Sequence, residues 1–263
     1  MDFKSYIINL PGEKLRRDFM KNQMKDLDLN HIFIPAVTVS DISENDYLKE
    51  GMGWERPLRK TELACFLSHK KAWEAAAHSN THSLILEDDA LLSSSCKDII
   101  RDVTNFIDFD FICLETRFRR KKLIGPIQKS IKGSFARLYQ DRAGAAAYIL
   151  SPEGAQKLCD RSNHIKPGLA DAYISSAYEL NAYQIIPALA IQLDQCEIHN
   201  LVPPIKTQTS INEARPKINL SILTKYSFIY RRVLSQVRLA SRILSKRLKA
   251  SFKEIPIATG FGK

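Results

Sequence analysis

A chain of 263 residues, 44% hydrophobic and 26% charged, can bury one sizeable core, which excludes collagen-like, low-complexity and wholly disordered classes. The net charge of +10 sits in one segment: residues 214–263 hold 12 Lys and Arg against a single acid, Glu254, and the first 213 residues are close to neutral. The basic balance therefore describes a tail and does not mark the body as a nucleic-acid binder.

In chain order, Ser5-Tyr6-Ile7-Ile8-Asn9-Leu10 reads as a strand ended by Pro11-Gly12. The spacing of Leu15, Phe19, Gln23 and Leu27 predicts a helix over residues 13–28, and His31 to Pro35 predicts a second strand, a βαβ opening. Residues 40–60 are polar and read as a loop. Thr61 is the expected cap of a helix running to His78. The apolar strand Ser83-Leu84-Ile85-Leu86 runs straight into Glu87-Asp88-Asp89. Further strands are expected at 109–114, at Ala145 to Leu150 and at Tyr183 to Ile191, with a loop or hairpin over 117–134. Ser151-Pro152 starts a helix, serine as cap and proline at the first position. Alternating strands and helices predict an α/β sheet.

The five cysteines are scattered, with no C-x-x-C pair, so neither a disulfide framework nor a structural zinc site is expected, and a reducing cytoplasm suits them. The apolar run Tyr6-Ile7-Ile8 is too short for a signal peptide, Asp2 stands where basic residues would be expected, and no run of 18 apolar residues predicts a membrane span.

Three consecutive acids at a strand end repel one another unless a cation compensates. Mg²⁺ or Mn²⁺ takes such oxygens and shares its other positions with phosphate and water. Side chains alternate along a strand, so Glu87 and Asp89 are expected on one face and Asp88 on the other. No G-x-G-x-x-G, P-loop, H-E-x-x-H or G-x-S-x-G is present, which argues against dinucleotide, kinase, metalloprotease and hydrolase chemistry.

Six ordered blocks over about residues 3–200 carry a resemblance. They are Tyr6-Ile7-Ile8-Asn9-Leu10 with Arg16-Arg17; Arg59 to His69; Leu84 to Ala90; Leu114-Glu115-Thr116; Gly144 to Ser151 with Gly154-Ala155; and Lys166-Pro167 with Asp171. Together they resemble family 25 glycosyltransferases, the lipooligosaccharide galactosyltransferases and their collagen-modifying relatives. Ala64 stands where the family usually has glycine, and the family's Pro-x-Asp is stretched to Pro167-Gly168-Leu169-Ala170-Asp171. The resemblance implies a GT-A-like catalytic domain over residues 1–213, a UDP-sugar donor, galactose from UDP-galactose foremost, and Mn²⁺ or Mg²⁺. It implies metal ligation by Asp89 with Glu87, and donor contacts from Asn9, Arg16, Arg17, Ser68, His69 and Asp88. An inverting displacement needs a base, for which Asp171 and Glu115 are the candidates, Asp171 as base and Glu115 on the acceptor side. Arg117 or Arg119 is the expected partner of Glu115 if that acid is structural. Gly144 to Ser151 is expected to pack.

Residues 214–263 form the second unit. Apolar positions Ile222, Tyr226, Ile229, Val233, Val237, Ala240, Leu244 and Leu248 recur every three or four residues between basic ones, a basic amphipathic helix or helix pair. A peripheral site on the cytoplasmic face of the inner membrane suits a lipid-linked oligosaccharide acceptor. Packing on the body or in a homodimer is the other use, and nucleic acid is not expected. The competing function is a non-catalytic nucleotide- or anionic-surface-binding protein.

Overall fold

The computed structural model describes residues 3–141, 144–206 and 221–262. The strands are β1 (Lys4–Asn9), β2 (His31–Pro35), β3 (Ser83–Glu87), β4 (Ala90–Leu92), β5 (Phe111–Cys113), β6 (Lys121–Ile124), β7 (Gln128–Lys129), β8 (Ser134–Gln140), β9 (Ala147–Leu150), β10 (Ala182–Ile186), β11 (Ala190–Gln192) and β12 (Ser251–Glu254). The helices are α1 (Lys14–Asp26), α2 (Glu44–Glu50), α3 (Lys60–Ala77), α4 (Cys96–Thr104), α5 (Pro152–His164), α6 (Ala170–Ser175) and α7 (Ile222–Lys246).

The main sheet runs β12-β6-β8-β10-β5-β9-β3-β1-β2, with β7 beside β8, and β4 pairs with β11 in a small second sheet. Strands β2, β1 and β3 are mutually parallel, and β9 runs antiparallel to both β3 and β5. Side-chain alternation sends Ile7, Leu84, Leu86, Ile112 and Ile149 to one face, where Met20 and Met24 of α1 and Ile100 and Val103 of α4 cover them. Tyr6, Ile8, Ile85, Phe111 and Tyr148 go to the other, under Phe66, Trp73 and Ala76 of α3 and Leu158 of α5. Burial on both faces explains why these strands read as continuous apolar runs. The expected α/β sheet with helices on both faces is the fold.

β1 lies between β2 and β3, with the crossovers α1 and α3 on opposite faces. This is a topological switch point, where ligands of open α/β sheets bind outside the carboxyl ends of the strands. Asn9 and Glu87 are the last residues of the two strands that flank it.

Several elements differ from expectation. Within 40–60, Ser43 caps α2 by accepting from the Asp46 amide at 3.1 Å, a short-range signal hidden in a polar stretch. The cap of α3 is Arg59 and not Thr61: the Glu62 carboxylate accepts from the Arg59 amide at 2.8 Å, which leaves Thr61 inside the first turn. The 117–134 stretch holds β6 and β7, and Pro187 splits the expected strand at Tyr183 to Ile191 into β10 and β11. The boundary expected at 213/214 lies outside the described residues. The helical tail is present as α7, but the chain then returns: β12 pairs with β6, and Ile255, Ala258 and Phe261 are buried in the body. Residues 251–261 thus pack against the same body as the main sheet. Among the described residues no helix is long and apolar enough to cross a membrane.

The expected close packing after Gly144 is most acute at Gly154. A Cβ there would lie 2.1 Å from the Asp110 carbonyl oxygen, a backbone atom that cannot rotate away. Gly154→Ala should destabilise by about 1–3 kcal/mol or more and lower the melting temperature. Gly12→Ala, which meets nothing within 4 Å, should leave it unchanged. Equal melting temperatures for all three proteins would contradict the packing.

Candidate active site

The three consecutive acids occupy three different environments. Glu87 closes β3, with Oε1 3.0 Å from Nε2 of buried His69 and Oε2 accepting from Gln192 Nε2 at 3.4 Å. His69 is held in turn: its Nδ1 lies 2.9 Å from the Tyr148 hydroxyl, which also accepts the Trp73 indole N–H at 2.9 Å. Asp88 begins a turn and is clamped by Arg16 Nη1 on Oδ1 at 2.9 Å and Asn9 Nδ2 on Oδ2 at 2.8 Å. Asp89 keeps some exposure, yet its Oδ1 is sealed from solvent and has no hydrogen-bond partner. Its backbone oxygen accepts from Leu193 N at 2.9 Å, which fixes the turn against the residue that follows β11. Burial, and then the charge of Glu87, push the Asp89 carboxyl up to about 7.

Strand alternation does not extend through the motif, because β3 ends at Glu87. Asp88 is nonetheless set apart by its clamp. A buried carboxylate oxygen without a donor, beside a second acid, is a fit for a hard divalent cation. Asp89 and Glu87 are the residues that could hold one.

The expected donor contacts are drawn to the same place. Arg17 Nη1 reaches Asn9 Oδ1 at 3.4 Å, and its guanidinium lies 4.0 Å over the Phe33 ring. Ser68 Oγ donates to Ala64 O at 2.7 Å and accepts from Val37 N at 2.8 Å, so it pins residues 36–39 against α3. A cleft of about 300 Å³ opens here, lined by Ile8, Val37, Cys65, His69, Glu87 and Asp88 among others.

Asp171 stands in the first turn of α6, as the helix-start reading expects, and accepts from the Ala172 amide at 2.7 Å. Burial raises its carboxyl above the ordinary range, and Glu87 and Asp141 add to that. It lines a second cavity of about 640 Å³ with Trp54, Asp141, Arg231 and Arg238. Glu115, expected on the acceptor side, is instead enclosed at 1% exposure. Its Oε1 accepts from Ala146 N at 2.8 Å, its Oε2 has no partner, and burial pushes its carboxyl well up. Gly144 packs against it, where a Cβ would lie 3.3 Å from both oxygens. Neither arginine pairs with it: Arg117 binds Gln192 and, at 2.7 Å, Asp194, while Arg119 lies over Phe118.

Sequence reasoning missed two parts. Lys122 is fully buried, with Nζ 2.7 Å from Asp141 and Gln184 and 2.8 Å from the Glu115 carbonyl oxygen. In sequence it is one of several bases in a run, with nothing to mark it as interior. Tyr148, read as packing, positions His69.

The sequence profile of glycosyltransferase family 25, described as an LPS biosynthesis protein, matches residues 2–174. The chain belongs to glycosyltransferase family 25. A family 25 member of Aedes aegypti is 29% identical over 184 residues, 64% of this chain and 30% of that protein. The lacto-N-neotetraose biosynthesis glycosyltransferase LgtE of Neisseria gonorrhoeae is 26% identical over 207 residues, 72% of this chain and 74% of its own. The chain thus spans about 30% of the length of the insect and Xenopus relatives it matches. A solved glycosyltransferase involved in glycosylation of the PBCV-1 major capsid aligns with 62% of this chain and 68% of its own at 13% identity and a TM-score of 0.33.

A carboxyl raised in the folded state ionises first in the unfolded chain, so its contribution to stability is complete below the ordinary aspartate value of 3.8 and is lost as pH rises through about 7. The metal-free protein should therefore lose melting temperature between pH 4 and 7, and Asp89→Asn should flatten part of that slope. Identical slopes for the two proteins would contradict the Asp89 environment.

Proposed function

We propose that the protein transfers galactose from UDP-galactose to a lipooligosaccharide core acceptor, with inversion and with Mn²⁺ or Mg²⁺ held by Asp89 and Glu87. The observation that carries this is the unpartnered, buried Oδ1 of Asp89 beside Glu87, at the switch point of a GT-A-like sheet. The cation, when bound, neutralises charge on the departing diphosphate as a Lewis acid. His69 and Gln192 orient Glu87, and the Arg16–Asp88–Asn9 clamp holds the turn that carries Asp89. Arg17, which reaches Asn9 Oδ1 at 3.4 Å, is the proposed phosphate contact. Asp171, its proton affinity raised by burial, takes the proton of the acceptor hydroxyl in the 640 Å³ cavity. Glu115, enclosed and accepting from the Ala146 amide, takes a structural role in this reading and is not the base.

Screening sugar nucleotides with and without Mn²⁺ should show UDP release that needs both metal and UDP-galactose. A nucleotide- or anionic-surface-binding protein would release none. Asp171→Asn should lower turnover by about a hundredfold or more, while Glu115→Gln, isosteric with a neutral carboxyl, should lose less than about tenfold. Full activity in the Asp171→Asn protein discards the assignment.

The tail supports attachment to the cytoplasmic face of an anionic membrane. Phe228 is buried, Arg231 donates to the Met52 and Trp54 carbonyls at 2.8 and 3.2 Å, and Arg242 lies 4.7 Å over Tyr178, so this side of α7 docks on the body. The opposite side turns its apolar stripe outward, with Val233 at 55%, Val237 at 58% and Leu244 at 67% exposure. Such a stripe flanked by Lys and Arg fits a lipid interface. Truncation would remove β12 and the buried Phe261, so point changes are the right probe. Val233→Asp with Val237→Asp should reduce sedimentation with phosphatidylglycerol vesicles by roughly tenfold or more at unchanged melting temperature. Undiminished sedimentation would remove the membrane reading.

A further inference from the structure

Cys65 and His69 stand one turn apart on α3, so their side chains share a face. Glu87 closes β3 opposite them, and one donor atom from each of the three lies within 4.8 Å of the others. All three line the 300 Å³ cleft, so a cation held by them keeps a position open to solvent or substrate. Sulfur, imidazole and carboxylate form a donor set suited to Zn²⁺, and a modest closing of the side chains meets its bond lengths of about 2.0–2.3 Å. The second partner of the imidazole is in place. The Tyr148 oxygen, oriented by the Trp73 N–H, lies 2.9 Å from Nδ1 and leaves Nε2 towards Glu87.

The hard-cation reading uses Asp89 and Glu87; these ligands differ from it in two of three members. We propose that Cys65, His69 and Glu87 form a separate site for a thiophilic divalent cation, Zn²⁺ foremost, and that its occupancy competes with the hard cation for Glu87. The competition rests on the function proposed above, and the site itself does not. On binding, the Cys65 thiol proton leaves to solvent and the sulfur ligates as thiolate. The imidazole stays neutral, its hydrogen passing from Nε2 to Nδ1, where the Tyr148 oxygen accepts it. Without a cation, burial and then the nearby carboxylates keep the thiol protonated. The absence of C-x-x-C hid this group in the sequence, because its third ligand comes from another element.

Metal-free full-length protein titrated with Co²⁺ should develop a thiolate-to-cobalt charge-transfer band that Zn²⁺ abolishes. The band should vanish in Cys65→Ser and persist in Cys159→Ser and in Asp89→Asn. Tyr148→Phe should weaken Zn²⁺ binding by about 10- to 100-fold. Mn²⁺ bound to the wild type should be released as Zn²⁺ is added. Zn²⁺ should also protect Cys65 of the wild type from alkylation, read by peptide mass, which tests the site if Cys65→Ser fails to fold. A wild type without the band, a band that survives Cys65→Ser, or unprotected Cys65 overturns the site. Loss of Mn²⁺ binding in Asp89→Asn with the cobalt band intact separates the two readings. Simultaneous Mn²⁺ and Zn²⁺ binding removes the competition alone.

Discussion

The buried clamp on Asp88 is the contact on which the site depends. Arg16 from α1 and Asn9 from β1 converge on one carboxylate at the end of β3, and both members of the ion pair are about nine-tenths buried. Removing one partner of such a pair typically costs about 3–5 kcal/mol, because the other charge is left buried and uncompensated. The clamp joins the carboxyl ends of adjacent parallel strands across the switch point. With Asp88 fixed, the chain must turn, and the turn carries Asp89 into a place where one of its oxygens meets no donor. Stability at one acid thus creates an unfilled electrostatic demand at the next.

The supports around this turn come from distant parts of the chain. Trp73, Tyr148 and His69 form a hydrogen-bonded line that ends on Glu87. Gln192 meets the same carboxylate from the other side, steadied by Arg117. The last strand and the segment through Phe261 tie the C-terminus back to the body by bridges at Ala188–Ile257 and Ser93–Phe261. This anchorage places α7 along the 640 Å³ cavity, so a helix with an outward apolar stripe is fixed beside the proposed acceptor chamber.

Much of this was legible in sequence, for identifiable reasons. β1, β2, β3 and β9 are short apolar runs bounded by turn residues, and α5 carries its serine cap and N1 proline openly. The acid motif was legible as a charge excess that needs compensation. Its internal division was not, because alternation describes a strand and the strand stops at Glu87. Glu115 reads as the open end of a strand, and contacts with Gly144 and Ala146 ahead of β9, with Lys122 and with Ala190 of β11 enclose it. Lys122 and the outward face of α7 were equally hidden. Periodicity tells that a helix has two faces and does not tell which one docks.

The central claim is that Asp88 holds the fold of the turn while Asp89 holds the cation. Mn²⁺ affinity of purified protein, read by electron paramagnetic resonance together with melting temperature, tests it directly. Asp89→Asn should abolish Mn²⁺ binding without lowering the melting temperature of the metal-free protein, and Asp88→Asn should lower that temperature while Mn²⁺ still binds. Mn²⁺ binding that survives Asp89→Asn and is lost in a stably folded Asp88→Asn protein would contradict the account.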